Sequence, residues 1–144
     1  MQSYSKYNVG HKYILIVTDT YTKYLWIQAL KNKSSKQVTQ GMLSILNINH
    51  PKFLQTYNGT EFYNKLFQNL TRKYNIKQYS TYSGIKAAIK CTIKNIIYKK
   101  FTVTGSYDCY CLISNIVYNY NNTKHTTIKY TSHEARTVYK TTIT

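Results

Sequence analysis

The sequence has 144 residues, 42% of them hydrophobic, which is the size and apolar content of one folded domain and excludes a disordered chain. Twenty Lys and Arg against 4 Asp and Glu give a formal net charge of +16, which favours polyanionic partners, nucleic acid first and an anionic membrane second. No apolar run reaches the ~18–20 residues of a membrane span, and the opening MQSYSKYNVG has no apolar signal-peptide core, so the expectation is a soluble intracellular protein.

In chain order, residues 4–9 read as an edge strand. Residues 12–30, KYILIVTDTYTKYLWIQAL, read as two strands rich in β-branched and aromatic residues, with a turn at Thr18-Asp19-Thr20. SSKQVTQGMLSILNI opens on Ser34 or Ser35 as a cap and spaces Val38, Met42, Ile45 and Leu46 along one helix face. Pro51 ends that segment, and KFLQT is a short buried strand. Asn58-Gly59 then forms a corner into a helix, TEFYNKLFQNLTRKYN, with Thr60 as its cap and Phe62, Leu66, Phe67 and Leu70 on one face. IKQYST is another strand, and Ser83-Gly84 leads into a basic helix, IKAAIKCTIKNIIYKKF. Residues 107–120 read as a further helix and the stretch HTTIKYTSHEARTVYKTTIT as irregular or weakly helical. Antiparallel strands followed by strand–helix alternation predict an α/β fold, a mixed sheet flanked by helices. We expect one domain over residues 1–135 and a tail over 136–144.

Cys91, Cys109 and Cys111 are an odd set without a secretory signal, so reduced thiols are expected. Cys109 and Cys111 with His125 and His133 match no common zinc spacing, and packing is the simpler reading of these cysteines.

Several stretches together resemble a known family. KYILIVTDTYTKYLWIQALKNKSSKQV, FLQTYNGTEFYNKLFQNLTRKYNI, YSTYSGIKAAI and YNNTKHTTI stand in the order and spacing of retroviral-type integrase catalytic cores, and are most similar to the transposon-derived integrases of invertebrate genomes. The resemblance implies a ribonuclease H-like fold. It also implies DNA integration chemistry, in which two Asp and one Glu hold two Mg²⁺ or Mn²⁺ ions that activate a water or 3′-hydroxyl and stabilise the leaving oxygen. Such ions are hard and demand oxygen ligands.

Each implied ligand position departs from the pattern. The family's LQT-NG motif carries Asp directly before Asn-Gly, and Tyr57 stands there. The family's Glu lies five residues beyond the Lys of the STYS..KA element, which is Cys91 counted from Lys86. The first Asp is expected upstream of Met1. A phenol is neutral at working pH and a thiolate is soft, so neither suits Mg²⁺. Asp19 matches a turn position of the family and reads as a turn-stabilising carboxylate. Glu61 reads as an N-terminal helix residue offsetting the dipole beside the vacated site, with Asn58, Gly59 and Glu61 as the active-site loop remnant. Ser132 stands where the family favours proline.

The function expected is a degenerate integrase core that keeps fold and nucleic-acid affinity, without catalysis and without a metal cofactor. Lys86, Lys90 and Lys94 share one helix face at i, i+4, i+8, with Lys99 and Lys100 beyond, as candidate phosphate contacts in largely sequence-blind DNA binding; a merely solvated basic face competes. Tyr57, Tyr79 and Tyr82 are candidates for stacking on unpaired bases, against simple packing. Three other readings stand beside this one. One is an active nuclease using Asp19 and Glu61. Another is an interaction remnant that pairs with intact copies, since integrase cores form homodimers through helices flanking the sheet. The last is a decayed reading frame, its basic bias owed partly to AT-rich codons. A protein acting on DNA would be nuclear.

Overall fold

A computed structural model describes the backbone of residues 6–80 and 85–142, and the side chains of all of these except 85–90 and 139–142. The elements run β1 (Tyr13–Thr18), β2 (Leu25–Leu30), α1 (Ser35–Leu46), β3 (Phe53–Thr56), α2 (Lys65–Lys73), β4 (Lys77–Ser80), α3 (Ile85–Thr104), α4 (Cys109–Asn121) and α5 (Ser132–Thr142). Pairing occurs in both senses, as a mixed α/β fold requires. Among the described residues it takes the form of two separate ladders instead of one continuous sheet. β1 and β2 are antiparallel, Tyr13 opposite Leu30 through Thr18 opposite Leu25. β3 and β4 are parallel, Phe53 beside Lys77 through Thr56 beside Ser80.

Strand alternation explains where the core lies. Leu15 and Leu30 face one way, onto the buried stripe Val38, Met42, Ile45 and Leu46 of α1, and Leu54, Phe67, Leu70 and Ile76 complete that cluster. Because residues of both ladders enter it, α1 ties them together. Gly41 lets the helix approach closely: a Cβ there would lie 3.1 Å from the Leu30 side chain. Ser34 caps α1 by accepting a hydrogen bond from the Gln37 amide.

The opposite face of β1–β2 turns Leu25 and Ile27 onto Ile93, Ile97 and Phe101 of α3 and Cys109, Ile113 and Ile116 of α4, with Ile14, Ile16 and Ala29 alongside. The result is three layers, helix on sheet on helix. Asn121, at the end of α4, is buried and takes the place of a neighbouring strand. Its Oδ1 accepts from the Leu25 amide at 2.8 Å, and its Nδ2 donates to the Leu25 carbonyl at 3.0 Å.

Two stretches differ from the sequence expectation. Within residues 4–9, the part described is no strand: Lys6 and Tyr7 form a single 3₁₀ turn, and Val9 and Gly10 have φ of 53° and 77°. The buried Asn8 causes this, donating to the Tyr107 carbonyl at 3.1 Å and accepting from the Tyr110 amide at 2.8 Å, which fastens the segment to the start of α4. Near the C-terminus, residues 132–142 form a full helix. Thr131 and Glu134 make a reciprocal capping box: the Glu134 amide donates to the Thr131 hydroxyl at 3.1 Å, and the Thr131 amide donates to the Glu134 carboxylate at 2.9 Å. Arg136 on this helix lies 4.6 Å over the Tyr24 ring and 5.3 Å over Trp26.

Candidate functional site

The corner after β3 is built by side chains that bond backbone in both directions. The amides of Phe62 and Tyr63 donate to the Gly59 carbonyl, closing a turn. Asn64 then accepts from the Phe67 amide at 3.0 Å and donates backward to the carbonyls of Thr60 and Glu61, each at 2.9 Å. The cap of α2 is therefore Asn64, not Thr60, because one amide side chain serves the turn and the helix at once. Gln78 of β4 donates to the Thr56 hydroxyl and the Phe62 carbonyl, both at 3.1 Å, and pins the corner to the ladder. Phe62 packs edge-on against the buried Phe67, with centroids 5.4 Å apart. The buried stripe of α2 is Phe67, Leu70 and Thr71; Leu66, one position off it, is 52% exposed.

Tyr57 leaves this frame immediately after β3 and is half exposed. Glu61 sits in the turn, before the first residue of α2, and the first turn of that helix holds no acidic residue. Its carboxylate folds back over Gly59, where a Cβ would collide with it. It therefore does not offset the helix dipole.

Asp19 is fully engaged as a turn carboxylate. One oxygen accepts from the Tyr21 amide at 2.9 Å and the other from the Thr22 hydroxyl at 3.0 Å, while the Asp19 amide donates to the Tyr24 carbonyl.

On α3, Ile93, Ile97 and Phe101 point into the core, and Lys94, Lys99 and Lys100 are exposed. Lys94 lies 5.7 Å over the Tyr98 ring. The backbone of Lys86 and Lys90 belongs to the same helix, but their side chains fall outside the described residues, as does Tyr82 altogether. Cys91 is exposed on α3. Packing explains Cys109, which is buried at the head of α4 with its thiol pushed up by desolvation. It does not explain Cys111, which is exposed beside Asp108, the carboxylate that caps α4. A hydrogen bond to that carboxylate and its charge raise the Cys111 thiol, and the same bond lowers Asp108. No group of three or more His, Cys, Asp or Glu side chains converges on a common point among the described residues. No described helix is long and apolar enough to cross a membrane.

No protein-family model matches the chain. Among curated proteins, the chain is 28% identical over 130 residues to the Pro-Pol polyprotein of feline foamy virus, covering 87% of this chain and 11% of that protein. It is 29% identical over 92 residues to a transposon-derived protein of Caenorhabditis elegans, covering 62% of this chain and 32% of that one. To the Pol polyprotein of radiation murine leukemia virus (strain Kaplan) it is 29% identical over 124 residues, 79% of this chain and 21% of the polyprotein. The chain thus spans from about a tenth to a third of the length of these relatives. Among solved structures, the bovine immunodeficiency virus (BIV) integrase catalytic core superposes with a TM-score of 0.76 at 16% identity, covering 90% of this chain and 88% of that one. The HTLV-2 integrase catalytic core, solved with magnesium, gives 0.75 at 18% identity, covering 85% and 82%. By sequence the chain is similar to retroviral Pol polyproteins and to a transposon-derived protein, and its fold is the ribonuclease H-like fold of retroviral integrase catalytic cores.

Proposed function

We propose that this protein is an integrase-core-like DNA-binding domain that carries out no strand-transfer chemistry. The observation that carries the reading is Tyr57. It follows β3 directly, on a corner held by Asn64 and Gln78, which supports reading it as the position where the resembled family carries a metal-binding Asp and this chain carries a phenol. The remaining donors do not fit a cage for Mg²⁺ or Mn²⁺. Cys91 offers a soft thiol, Asp19 holds its turn with both oxygens, and Glu61 is a lone carboxylate folded over Gly59, so no set of hard oxygen ligands is assembled among the described residues.

Binding to DNA rests on charge. A net +16 creates a field that attracts any polyanion, and Lys94, Lys99 and Lys100 stand exposed on α3, whose other face is anchored in the core. Phosphate contacts of this kind read no sequence, so binding is expected to be steeply salt-dependent and largely indifferent to base order.

Two measurements test this. Duplex affinity followed against salt should fall linearly on a log–log plot, and neutralising Lys94, Lys99 and Lys100 together should lower the slope by about three. A salt-independent affinity sinks the binding claim. Plasmid nicking with Mg²⁺ or Mn²⁺ should be absent in the parent and in Tyr57→Asp. Nicking that disappears in Asp19→Ala would overturn the claim of inactivity.

A further inference from the structure

The outer face of the β3–β4 ladder carries a row of aromatic rings that the duplex reading does not use. Alternation along β3 turns Leu54 and Thr56 inward and leaves Phe53 62% exposed, and Tyr57, next in the same phase, is 50% exposed. On β4, Tyr79 is 46% exposed. The parallel register sets Phe53 beside Lys77 and Gln55 beside Tyr79, so Phe53 and Tyr79 lie on a diagonal of one face, and Tyr57 follows directly after the last residue of β3. The diagonal is about 8 Å, from ~4.8 Å between strands and ~6.6 Å for two residues along one. Lys77, the register partner of Phe53, is exposed at the start of this face. Neither strand contains an acidic residue.

Flat apolar rings on a rigid ladder, with a cation at one end and no carboxylate on either strand, match one kind of ligand. It must present unstacked planar groups on an anionic backbone. A duplex keeps its bases stacked inside and offers such a face only its phosphates. A single strand offers both, and base–aromatic stacking tolerates any sequence because every base has a π-face.

We propose that the outer face of the β3–β4 ladder binds single-stranded DNA, with unpaired bases stacked on Phe53 and Tyr79 and on Tyr57 just beyond β3, and a phosphate held by Lys77. This face is distinct from the lysine face of α3, and its ligand is a different form of DNA. The proposal therefore stands or falls separately from duplex binding.

The test is fluorescence anisotropy of the full chain with a labelled oligo-dT of about 15 nucleotides and with a duplex of equal length. Phe53→Ala and Tyr79→Ala should each weaken oligo-dT binding about tenfold and leave duplex affinity unchanged, while Tyr79→Phe keeps the parent affinity. Both side chains are exposed, and thermal melts matched to the parent confirm that the variants fold. Unchanged oligo-dT affinity in the Phe53→Ala/Tyr79→Ala double variant overturns the proposal. So does an equal loss for the duplex, or tighter binding of oligo-U than of oligo-dT. Sedimentation supplies the last arm: a dimer that the double variant dissociates, with oligo-dT affinity intact, would show the face to be an interface between copies.

Discussion

β1 and β2 are sandwiched, with α1 on one face and α3 and α4 on the other, whereas among the described residues β3 and β4 have one face in a core and the other exposed. The sequences reflect this. YILIVT and LWIQAL are apolar at nearly every position, because both phases of the strand meet a core. FLQT and KQYS alternate, yet two of the residues sent outward, Phe53 and Tyr79, are aromatic where polar residues are expected. A doubly covered ladder constrains its residues through packing alone. A ladder with one exposed face leaves its outer residues open to selection by a ligand, and Tyr57 follows directly on the first strand of that ladder.

The largest expected effect tests the sandwiched ladder. Leu25 is 0% exposed between β2 and the α3–α4 layer, and Leu25→Ala should cost about 2–5 kcal/mol in denaturant unfolding through lost transfer energy and the cavity left behind. Asn121→Ala comes next. It strands the Leu25 amide and carbonyl in a buried site, at about 1–3 kcal/mol. If Asn121→Ala unfolds at the same denaturant concentration as the parent, the Asn121 side chain is no surrogate strand.

Smaller effects sharpen the contrast between the two carboxylates. Asp19→Ala removes two hydrogen bonds that hold the β1–β2 turn and should cost about 1 kcal/mol. Glu61→Gln should be neutral within about 0.5 kcal/mol, because the Glu61 carboxylate braces no helix terminus. A larger loss for Glu61→Gln than for Asp19→Ala would reverse these assignments. Phe53→Ala, on the uncovered face, should also stay within about 0.5 kcal/mol, in contrast to Leu25→Ala on the covered one.

What was legible in the sequence was whatever a local pattern encodes. The spacing of Val38, Met42, Ile45 and Leu46 placed α1 and its buried face, and the apolar runs placed β1 and β2. The resemblance carried by FLQTYNGTEF agrees with the sequence relatives and with the fold. The features that escaped are long-range or two-way. Asn8 bonds residues about a hundred positions away, and no window along the chain shows that a turn there is fastened to α4. Thr60 looked like a cap because Asn64, which serves the turn and the helix together, lies beyond it. Leu66 looked like core because it neighbours Phe67, although only the i, i+3, i+4 stripe is buried. The α5 cap was readable and overlooked: Thr131-Ser132-His133-Glu134 is a T-x-x-E box. The bare aromatic face of β3–β4 was readable only in part, because exposure depends on what fails to cover it.

The smallest expected effect is a pH dependence, and it separates two groups near the C-terminus. His125 is pushed down from its ordinary value, chiefly by desolvation and also by the charge of Lys23, while a hydrogen bond its ring donates to the Tyr120 carbonyl pulls it partly back. The unfolded chain therefore takes up this proton at a higher pH than the folded one. Stability should decline as pH falls below about 6.5, and His125→Phe, which keeps a ring against Tyr120 at no cost of charging, should flatten that decline. Glu134 is also lowered, by the Thr131 amide and hydroxyl, but as an acid its contribution is fully present above the ordinary carboxylate range, about pH 4, and is lost as pH falls through its depressed folded value. Glu134→Gln should thus leave the decline that begins below about pH 6.5 untouched and alter only the acid limb. Melting temperatures measured from pH 8 to pH 3 on the parent and both variants decide the matter: a Glu134→Gln variant that flattens the His125 decline would show that it had been assigned to the wrong residue.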